Sequence, residues 1–467
     1  MRKDLENLSP EEKRRLAQEL MGAADDDEAE DPPWFDGKKV NQVAYCQCLM
    51  AEKEMRCIGH RLYTFDGIVD EGELQRRIAE DLTPYVTSSL DKASDTILKT
   101  IKVLCMSKPI PPTEDKIHFQ NGTFSLKDGF TDQREWTMNR LPISYDPAAP
   151  PPSRWLQYLS ELLYEEDIVT LQEFLGYILI ATNRGQSMLL LIGSGGEGKS
   201  RITGVLQTMF GPNMNIGDIY KLEHDKFMPA NQEGRLLFVD DDLKMEALSS
   251  TNTIKSIVTC EGMMDLEVKN KQSRQGLMYA RLICLGNGTL KALHDKSNGF
   301  YRRQIIIQTK NKPKDRVDDP YLRERLEAEI PGILLWCIEG LRRLIANNYR
   351  FTISDRSAKI KKELMAEDNN IQAFLESTGY ITFESGAQTT TRQLYGVYKK
   401  WCYDNAEKAS AMTTFARYLG QQAEDLGIIP NKNIKLDLTR RARGYDGIRA
   451  VVDGFMEIQD DDDCPFP

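Results

Sequence analysis

The sequence contains no long uninterrupted apolar run, and this absence excludes one class of protein. A helix that spans a bilayer needs about 20 predominantly apolar residues, and no segment of the 467-residue chain approaches that length. The segment Met1–Leu20 is highly charged, and it predicts an amphipathic helix without the apolar centre of a secretory signal. We therefore expect a cytoplasmic protein that has no membrane partner.

Cysteine pairs at the spacing typical of a zinc site or a disulfide framework are also lacking. The nine cysteines are scattered along the chain, as expected for reduced thiols in a reducing compartment. One cluster, Cys46, Cys48, Cys57 and His60, does contain potential zinc ligands. Its Cys-x-Cys start is tighter than the usual spacing of zinc ligands, so buried thiols are the preferred interpretation.

A positive net charge, typical of proteins that bind nucleic acids, is absent from the chain as a whole. The net charge is −10, but the acidic residues are concentrated at the two ends. Residues 1–31 carry five Lys/Arg and 11 Asp/Glu, and residues 452–467 carry six Asp/Glu and no Lys/Arg, so each end contributes −6 and the remainder is +2. We expect both ends to be solvated and disordered. A body that is nearly neutral can still present a basic surface.

The strongest motif present is a glycine-rich turn between a predicted strand and a predicted helix. It is a complete GxxxxGKS that follows the apolar run Met188–Ile192. Glycines let the backbone N–H groups of such a turn surround phosphates, and the helix N-terminus adds a favourable dipole. Lys199 should reach the β- and γ-phosphates of ATP, and the Ser200 hydroxyl should bind Mg²⁺. The residues predicted to bind the nucleotide are Gly193, Ser194, Gly195, Gly196, Glu197, Gly198, Lys199 and Ser200.

Three consecutive aspartates follow the next buried run, Leu236–Val239. A strand that delivers carboxylates at its end supplies a ligand for Mg²⁺ and a base that polarises the attacking water, the Walker B function. We assign Asp240 to the metal and Asp241 to the water. The register is open by one residue, because Asp242 could take the second role.

Two further polar positions are candidates for catalysis. Asn287 follows the apolar strand predicted at residues 282–285, where an amide can hold the attacking water or the γ-phosphate, although such an Asn often only forms a turn. Arg302 precedes the strand predicted at residues 304–308 and can stabilise transition-state charge on the nucleotide of a neighbouring subunit. Arg303 is the alternative for this role.

In this order and spacing, the four motifs resemble those of the superfamily 3 helicases within the AAA+ ATPases, and more narrowly those of the phage, plasmid and poxvirus primase-helicases. The resemblance extends over residues 36–452. Three segments resemble the family's domain before the motor: Ile117–Gly122, Leu141–Pro147 and Leu171–Tyr177. Glu329–Trp336 resembles the helix after the motor, and Leu394–Trp401 and Gly444–Ile448 resemble the C-terminal winged-helix module.

The resemblance also implies a hairpin that grips DNA. Lys269 and Lys271 lie where the family has a similar Lys-x-Lys, which projects into the central channel of the ring. A cation at a loop tip that moves with nucleotide state can pull a phosphate backbone. Without the resemblance, a solvated basic turn would be the preferred interpretation.

Two features depart from the family. Only about 110 residues precede the domain before the motor, and they contain no acidic triad typical of a primase. We therefore expect priming to be absent or to be supplied by a separate primase or initiator. In addition, the family's Walker B strand usually ends in a single acid after a small polar residue, whereas three aspartates stand here.

The predicted fold is α/β, with an AAA+ P-loop ATPase core, a pre-motor α/β domain and a C-terminal winged-helix module. In that module we expect Arg440, Arg441 and Arg443 to contact DNA phosphates. The predicted divisions are an acidic, disordered segment (1–35), a small α/β region (36–112), a helical collar-type domain before the motor (113–182), the superfamily 3 AAA+ ATPase domain (183–312), post-motor helices (313–368), the winged-helix module (369–452) and an acidic tail (453–467).

The expected activity is that of an ATP- and Mg²⁺-dependent helicase, a homo-hexameric ring that translocates on single-stranded DNA and also contacts duplex DNA. Its expected role is replication of a phage, a plasmid or another mobile element. Two alternatives are a non-unwinding AAA+ ATPase that binds or regulates an origin, and a P-loop metabolic kinase. Lys269 and Lys271 favour the helicase, and Arg302 argues against a kinase, which needs no arginine at a subunit interface.

Overall fold

The computed structural model describes residues 31–243, 248–260, 262–269, 272–287, 290, 298–313, 317, 319–368, 370–407, 409–435 and 441–454. The acidic ends predicted to be disordered lie largely outside this part of the chain, as do Lys271 and Arg440. None of the helices described is long and apolar enough to cross a bilayer. The chain divides into two compact units, Met1–Pro109 and Ile110–Pro467.

In the first unit, residues 31–109 are described, and they form three helices and a small antiparallel sheet in the order β1-β2-β3. Asp70 begins the second helix by accepting the backbone N–H groups of Gly72 and Glu73, because the first N–H groups of a helix have no partner within it. The apolar residues of that helix recur at helical spacing and form the core. The elements are α1 (Gln42–Glu52), β1 (Met55–Ile58), β2 (Arg61–Thr64), β3 (Gly67–Ile68), α2 (Glu71–Leu82) and α3 (Leu90–Leu104).

The cysteines of this unit lie in its apolar core. Cys46, Cys57 and Cys105 are buried, whereas Cys48 is half-buried. Burial raises the pKa of the Cys105 thiol to about 11, so it stays protonated well above neutral pH. Among the residues described, no group of three or more His, Cys, Asp or Glu side chains is arranged to hold a metal ion.

The second unit begins with a three-stranded antiparallel sheet, in the order β4-β5-β6, and two helices. These strands and helices lie within residues 113–182, where we expected the pre-motor domain. The apolar stripe of the first helix buries Trp155, Leu159 and Leu162. The elements are β4 (Lys116–Phe119), β5 (Gly122–Ser125), β6 (Gly129–Thr131), α4 (Ser153–Leu162) and α5 (Glu165–Tyr177).

A five-stranded parallel sheet forms the centre of this unit. Its strands are β7 (Met188–Ile192), β8 (Met214–Ile216), β9 (Leu237–Leu243), β12 (Arg281–Gly286) and β13 (Gln304–Gln308), in the order β13-β7-β12-β9-β8. The other elements between residues 200 and 301 are α6 (Ser200–Phe210), α7 (Ile219–His224), α8 (Asn252–Thr259), the antiparallel hairpin of β10 (Gly262–Leu266) and β11 (Arg274–Met278), α9 (Asn298–Tyr301), and 3₁₀ turns at Gly211–Asn213 and Pro229–Gln232.

Both faces of the parallel sheet are buried, which explains why its strands are continuous apolar runs. Leu189 and Leu191 of β7 pack into one apolar cluster, and Leu190 and Ile192 pack into a second, because successive side chains of a strand point to opposite faces. The predicted α/β class is thereby confirmed, and the parallel sheet is compatible with a P-loop core.

The longest helix after the sheet, Ile330–Ala346, packs back against α5. Two glycines permit the close approach, because a Cβ at Gly176 would lie 2.3 Å from the carbonyl oxygen of Cys337, and one at Gly340 would lie 2.3 Å from that of Gln172. The buried carboxylate of Glu173 accepts a hydrogen bond of 2.7 Å from Arg343 across the same contact. The helices are α10 (Leu322–Glu327), α11 (Ile330–Ala346) and α12 (Asp355–Asp368).

The C-terminal part has its own apolar core and a three-stranded antiparallel sheet in the order β14-β16-β15. Thr390 and Gln393 form a reciprocal capping box at the start of its longest helix, which satisfies N–H groups that would otherwise lack partners. The elements are α13 (Asn370–Glu376), β14 (Ile381–Thr390), α14 (Thr391–Asp404), α15 (Met412–Gln422), β15 (Ile429–Lys435) and β16 (Arg441–Ala450).

Candidate functional site

The glycine-rich turn lies at the carboxyl end of the parallel sheet, where three predicted motifs meet. The strand β7 pairs with β12, and β12 pairs with β9, all in parallel. Their carboxyl ends lead into Gly193, Asn287 and the aspartates of β9. In open α/β sheets, ligands bind outside the carboxyl ends of the strands, at a point where the strand order reverses.

The backbone of this turn has a conformation that requires glycine. Gly195, Gly196 and Gly198 have φ angles of +102°, +79° and +101°, in the region that side chains with a Cβ disfavour. A Cβ at Gly193 would lie 2.3 Å from the hydroxyl oxygen of Thr309. These glycines leave the backbone of the turn open to the phosphates of a nucleotide, although the Glu197 carboxylate already accepts the N–H of Ser194.

Lys199 is held inside the turn by two partners. Its Nζ lies 2.8 Å from Oε2 of Glu197 and 3.2 Å from Oδ1 of Asn287. Lys199 and Glu197 are nearly buried, at 7% and 2% exposure. Burial alone would raise the pKa of Glu197, but hydrogen bonds from Lys199 and from the backbone lower it below its ordinary value. Glu197 is therefore an ionised partner of Lys199.

The contact with Asn287 joins two of the predicted motifs. Asn287 follows β12, and its amide also lies close to the turn, since a Cβ at Gly195 would be 3.3 Å from its Nδ2. Lys199 precedes α6 directly, and the exposed Ser200 is the first residue of that helix. The fold thus brings the lysine, the hydroxyl and the amide to one end of the sheet. The catalytic role of Asn287 stays a prediction.

Thr309 belongs to the same site, although the sequence did not single it out. It follows β13 directly, is 4% exposed, and its hydroxyl has no hydrogen-bond partner among the residues described. A buried hydroxyl without a partner is unfavourable, and a phosphate oxygen is a suitable acceptor for it. The only signal in the sequence was a polar residue directly after an apolar strand, which is too common to be diagnostic.

The three aspartates occupy different environments. Asp240 is buried, and its carboxylate accepts the backbone N–H of Ile219 at 2.8 Å and that of Asp242 at 3.2 Å. Burial raises its pKa above the ordinary value, and these hydrogen bonds oppose the rise. Asp241 and Asp242 are exposed. Each oxygen of Asp240 keeps a further lone pair, so the carboxylate can still bind a metal ion.

The strand that carries these aspartates is longer than predicted. We expected it to end at Val239, but β9 continues to Leu243 because Asp240 and Leu243 still pair with β12. The register shifts between these two pairs. Such a bulge changes the direction of the side chains, which explains why two neighbouring carboxylates, Asp241 and Asp242, are both exposed.

The arginine predicted to act on a neighbour's nucleotide lies far along the sheet from this turn. Because β13 runs parallel to β7, Arg302 precedes β13 at the amino end of the sheet. Arg302 is exposed, whereas Arg303 is half-buried and donates a hydrogen bond to the carbonyl oxygen of Gly299. The geometry does not bring Arg302 to the turn of its own chain.

The predicted DNA-binding residues lie at two separate places. Lys269 is exposed after β10, in a hairpin held by a two-point ion pair in which Nη1 of Arg274 lies 2.7 Å from Oε1 of Glu233. Arg441 and Arg443 are both exposed on β16, and alternate residues of a strand share a face. The structure does not bring Lys269 together with these arginines as one described cluster.

The fold and the turn are thus compatible with a P-loop-like core, and comparison with known proteins adds a match over part of the chain. Residues 191–303, about a quarter of the chain, match the profile of a family of unknown function, DUF5906. The matched stretch begins in β7 and ends just before β13, and it includes the turn, the aspartates and Asn287. No curated protein sequence matches this chain.

Among solved structures, the chain is similar to apo structures of the C-terminal region of NrS-1. One has 12% sequence identity and a TM-score of 0.48, and covers 88% of this chain and 99% of that chain. A second has 15% identity and a TM-score of 0.45, with 82% and 86% covered. A third has 14% identity and a TM-score of 0.43, with 83% and 87% covered. Because the TM-scores are below 0.5, the assignment of function depends on the site itself.

Proposed function

We propose that this chain is an ATPase whose site is the glycine-rich turn at the carboxyl end of β7. The observation that carries the proposal is the position of Lys199, held 3.2 Å from Asn287 inside a turn with three glycines of positive φ. The buried hydroxyl of Thr309 beside the turn, which has no hydrogen-bond partner in the described part of the chain, supports it. Donors that converge on a glycine cradle at a helix N-terminus are suited to a chain of phosphates.

In this proposal each residue has a defined task. Lys199 binds the β- and γ-phosphates after it separates from Glu197, and Asn287 orients the attacking water or the γ-phosphate. Asp241 accepts the proton of the attacking water. The Ser200 hydroxyl and the Asp240 carboxylate fit Mg²⁺, which prefers oxygen ligands and takes few of them from protein when phosphates supply the others. Bound there, Mg²⁺ would neutralise charge on the phosphate oxygens.

We further propose that hydrolysis drives a ring-shaped, homo-hexameric DNA helicase in the replication of a phage, a plasmid or another mobile element. Two features support this function over that of a kinase. The exposed Lys269 follows β10 in a hairpin whose second strand, β11, is tied to Glu233 by Arg274 at the loop end, so a cation can be presented to the phosphates of single-stranded DNA. Arg302 lies at the opposite end of the sheet from the turn of its own chain, as a residue acting on a neighbouring subunit would.

The C-terminal part supports a second contact, with duplex DNA. Its element order is helix, strand, two helices and two strands, and its last strand lies at the centre of the sheet. This arrangement supports our proposal that residues 369–452 are a winged-helix module. The exposed Arg441 and Arg443 on the central strand are the cations that would contact the duplex backbone, together with Arg440.

The proposal is tested first with Lys199→Ala, measured as ATP turnover by the purified full chain. We expect a loss of at least 100-fold, because the phosphates lose their point charge. Lys221→Ala, an exposed lysine on α7, is the matched control and should retain wild-type turnover. If Lys199→Ala retains turnover as well, the turn is not the ATPase site.

A forked duplex then separates the helicase from the non-unwinding ATPase. Displacement of a labelled strand that requires ATP and is lost in Lys199→Ala supports the helicase. ATP turnover that DNA stimulates without any displacement supports a regulatory or origin-binding ATPase instead. Electron microscopy of the protein with ATP and DNA tests the ring directly.

A further inference from the structure

A cavity lies at the amino end of the parallel sheet, opposite to the glycine-rich turn. It has a volume of about 250 Å³ and is lined by the residues that precede β7 and begin β13, including Ser187 and Gln304. Its other walls are the loop between α11 and α12 and the side of α12 that carries Ser357 and Lys361. Arg302, which we propose acts on a neighbouring subunit's nucleotide, also lines it, but none of the residues proposed to bind ATP within the same chain does.

The charges around this cavity have one sign. Arg302, Arg350 and Lys361 line it, and none of its described lining residues is acidic. The Nζ of Lys361 donates to the carbonyl oxygens of Gln304 at 2.7 Å and Arg302 at 3.2 Å. An ammonium group has three donors, so these carbonyls use two of them. Burial lowers the pKa of Lys361 to about 8, a shift that a bound anion would oppose.

Gln304 provides an independent sign of a ligand. Its side chain is 1% exposed, and neither its amide oxygen nor its amide nitrogen has a hydrogen-bond partner among the residues described. Buried amides are nearly always hydrogen-bonded, and this one belongs to a residue that lines the cavity. A ligand with acceptor oxygens, and with a hydroxyl or a bound water, would satisfy it.

We propose that this cavity binds a phosphate group. Guanidinium and ammonium groups around a small cavity match the charge and the acceptor oxygens of phosphate. The phosphate has two possible sources, which are free inorganic phosphate and the terminal phosphate of a nucleotide held by a second copy of the chain. The second source depends on the proposed ATPase function, and the first does not.

Binding is tested with inorganic phosphate by calorimetry on the Lys199→Ala protein, so that the glycine-rich turn contributes little. We expect saturable binding that is at least tenfold weaker after Arg350→Gln or Lys361→Met. Lys359→Met is the matched control, because this lysine lies on the same helix but is 78% exposed and outside the cavity. Lack of binding, or equal binding in all variants, would overturn the proposal.

Arg350→Gln also keeps the test valid if Lys361→Met fails to fold, because Arg350 is exposed and Lys361 holds two backbone carbonyls.

ATP turnover then distinguishes the two sources of the phosphate. If a second copy supplies the phosphate, Arg350→Gln alone should lose turnover and regain part of it when mixed with Lys199→Ala protein. If Arg350→Gln retains wild-type turnover while phosphate binding is lost, free phosphate is the ligand. Failure of the ATPase proposal would leave the calorimetric result unaffected.

Discussion

Lys199 and Glu197 form a nearly buried ion pair inside the glycine-rich turn, with 2.8 Å between Nζ and Oε2. The charge that should attract phosphates is therefore already neutralised by a carboxylate two residues away. A triphosphate that takes Lys199 must displace this carboxylate and then tolerate its negative charge nearby. Glu197 was predicted to bind the nucleotide, but only its backbone N–H is suited to that task.

Glu197→Gln should therefore bind ATP more tightly than the wild-type chain. Removal of the competing charge is expected to lower the dissociation constant by about threefold to tenfold, where tenfold corresponds to about 1.4 kcal/mol. Titration of ATP by calorimetry measures the change. Glu166→Gln, which removes an exposed charge outside the turn, should leave the affinity unchanged. Weaker binding by Glu197→Gln would mean that the carboxylate positions Lys199 for the phosphates.

The exposed aspartates of β9 allow the Walker B register to be tested. Asp241→Asn should bind ATP normally but lose turnover by at least about 100-fold, because a general base typically contributes 10²–10⁴-fold. Single-turnover hydrolysis, with nucleotide binding measured in parallel, separates the two effects. Asp242→Asn is the control, since Asp242 is equally acidic and also exposed. The reverse pattern would shift our assignment by one residue.

The hairpin lysines should couple hydrolysis to DNA. Replacing Lys269 and Lys271 with Ala should preserve ATP affinity and basal turnover, because both lie outside the glycine-rich turn. Stimulation of turnover by single-stranded DNA and strand displacement should both fall steeply, because cations hold the phosphate backbone. A double variant of Lys221 and Lys359 removes the same charge elsewhere and should behave as wild type. Displacement at the wild-type rate by the hairpin variant would locate the DNA-gripping loop elsewhere.

Salt dependence tests the arginines of β16. For duplex DNA, the logarithm of affinity falls with the logarithm of salt concentration, with a slope of about −0.9 per neutralised phosphate. Arg441→Gln combined with Arg443→Gln should weaken binding at low salt and make this slope shallower by about 1.8. Arg449→Gln is the control on the same strand, because Arg449 is already paired with Glu384 at 3.3 Å. An unchanged slope in the double variant would contradict duplex contact by this strand.

His118 should make the stability of the second unit depend on pH. It is buried with its Nε2 2.9 Å from the Thr113 hydroxyl, and burial, followed by the charge of Arg140, lowers its pKa from 6.5 to about 4. Between these two values the unfolded chain binds a proton that the folded chain does not, so stability falls as pH decreases from about 6.5 to about 4.

Urea unfolding at pH 7 and pH 4.5 measures this effect. His118→Gln should reduce the difference between the two unfolding midpoints, whereas His224→Gln, a substitution of an exposed histidine, should preserve it. If the urea midpoints at pH 7 and pH 4.5 differ by as much in His118→Gln as in the wild-type chain, other groups cause the pH dependence.

The sequence by itself was sufficient for the α/β class and for the position of the glycine-rich turn. Apolar runs such as Met188–Ile192 predict buried strands wherever they occur, and a phosphate-binding turn is a contiguous segment whose chemistry is local. The expected convergence of Asn287 with this turn followed from the same logic. Residues that follow neighbouring parallel strands share one edge of the sheet.

Contacts between distant segments were decided only by the tertiary structure. The sequence could not reveal that Thr309 adjoins Gly193, since these two positions, which the order of strands brings together, are 116 residues apart in the chain. It also placed the end of β9 four residues too early, because a strand persists wherever a neighbour still supplies hydrogen bonds, even across charged residues. The cavity beside Lys361 exists only because α12 packs against the start of β13. A local sequence pattern indicates which secondary structure a segment prefers, whereas the segments packed around it determine its contacts and where it ends.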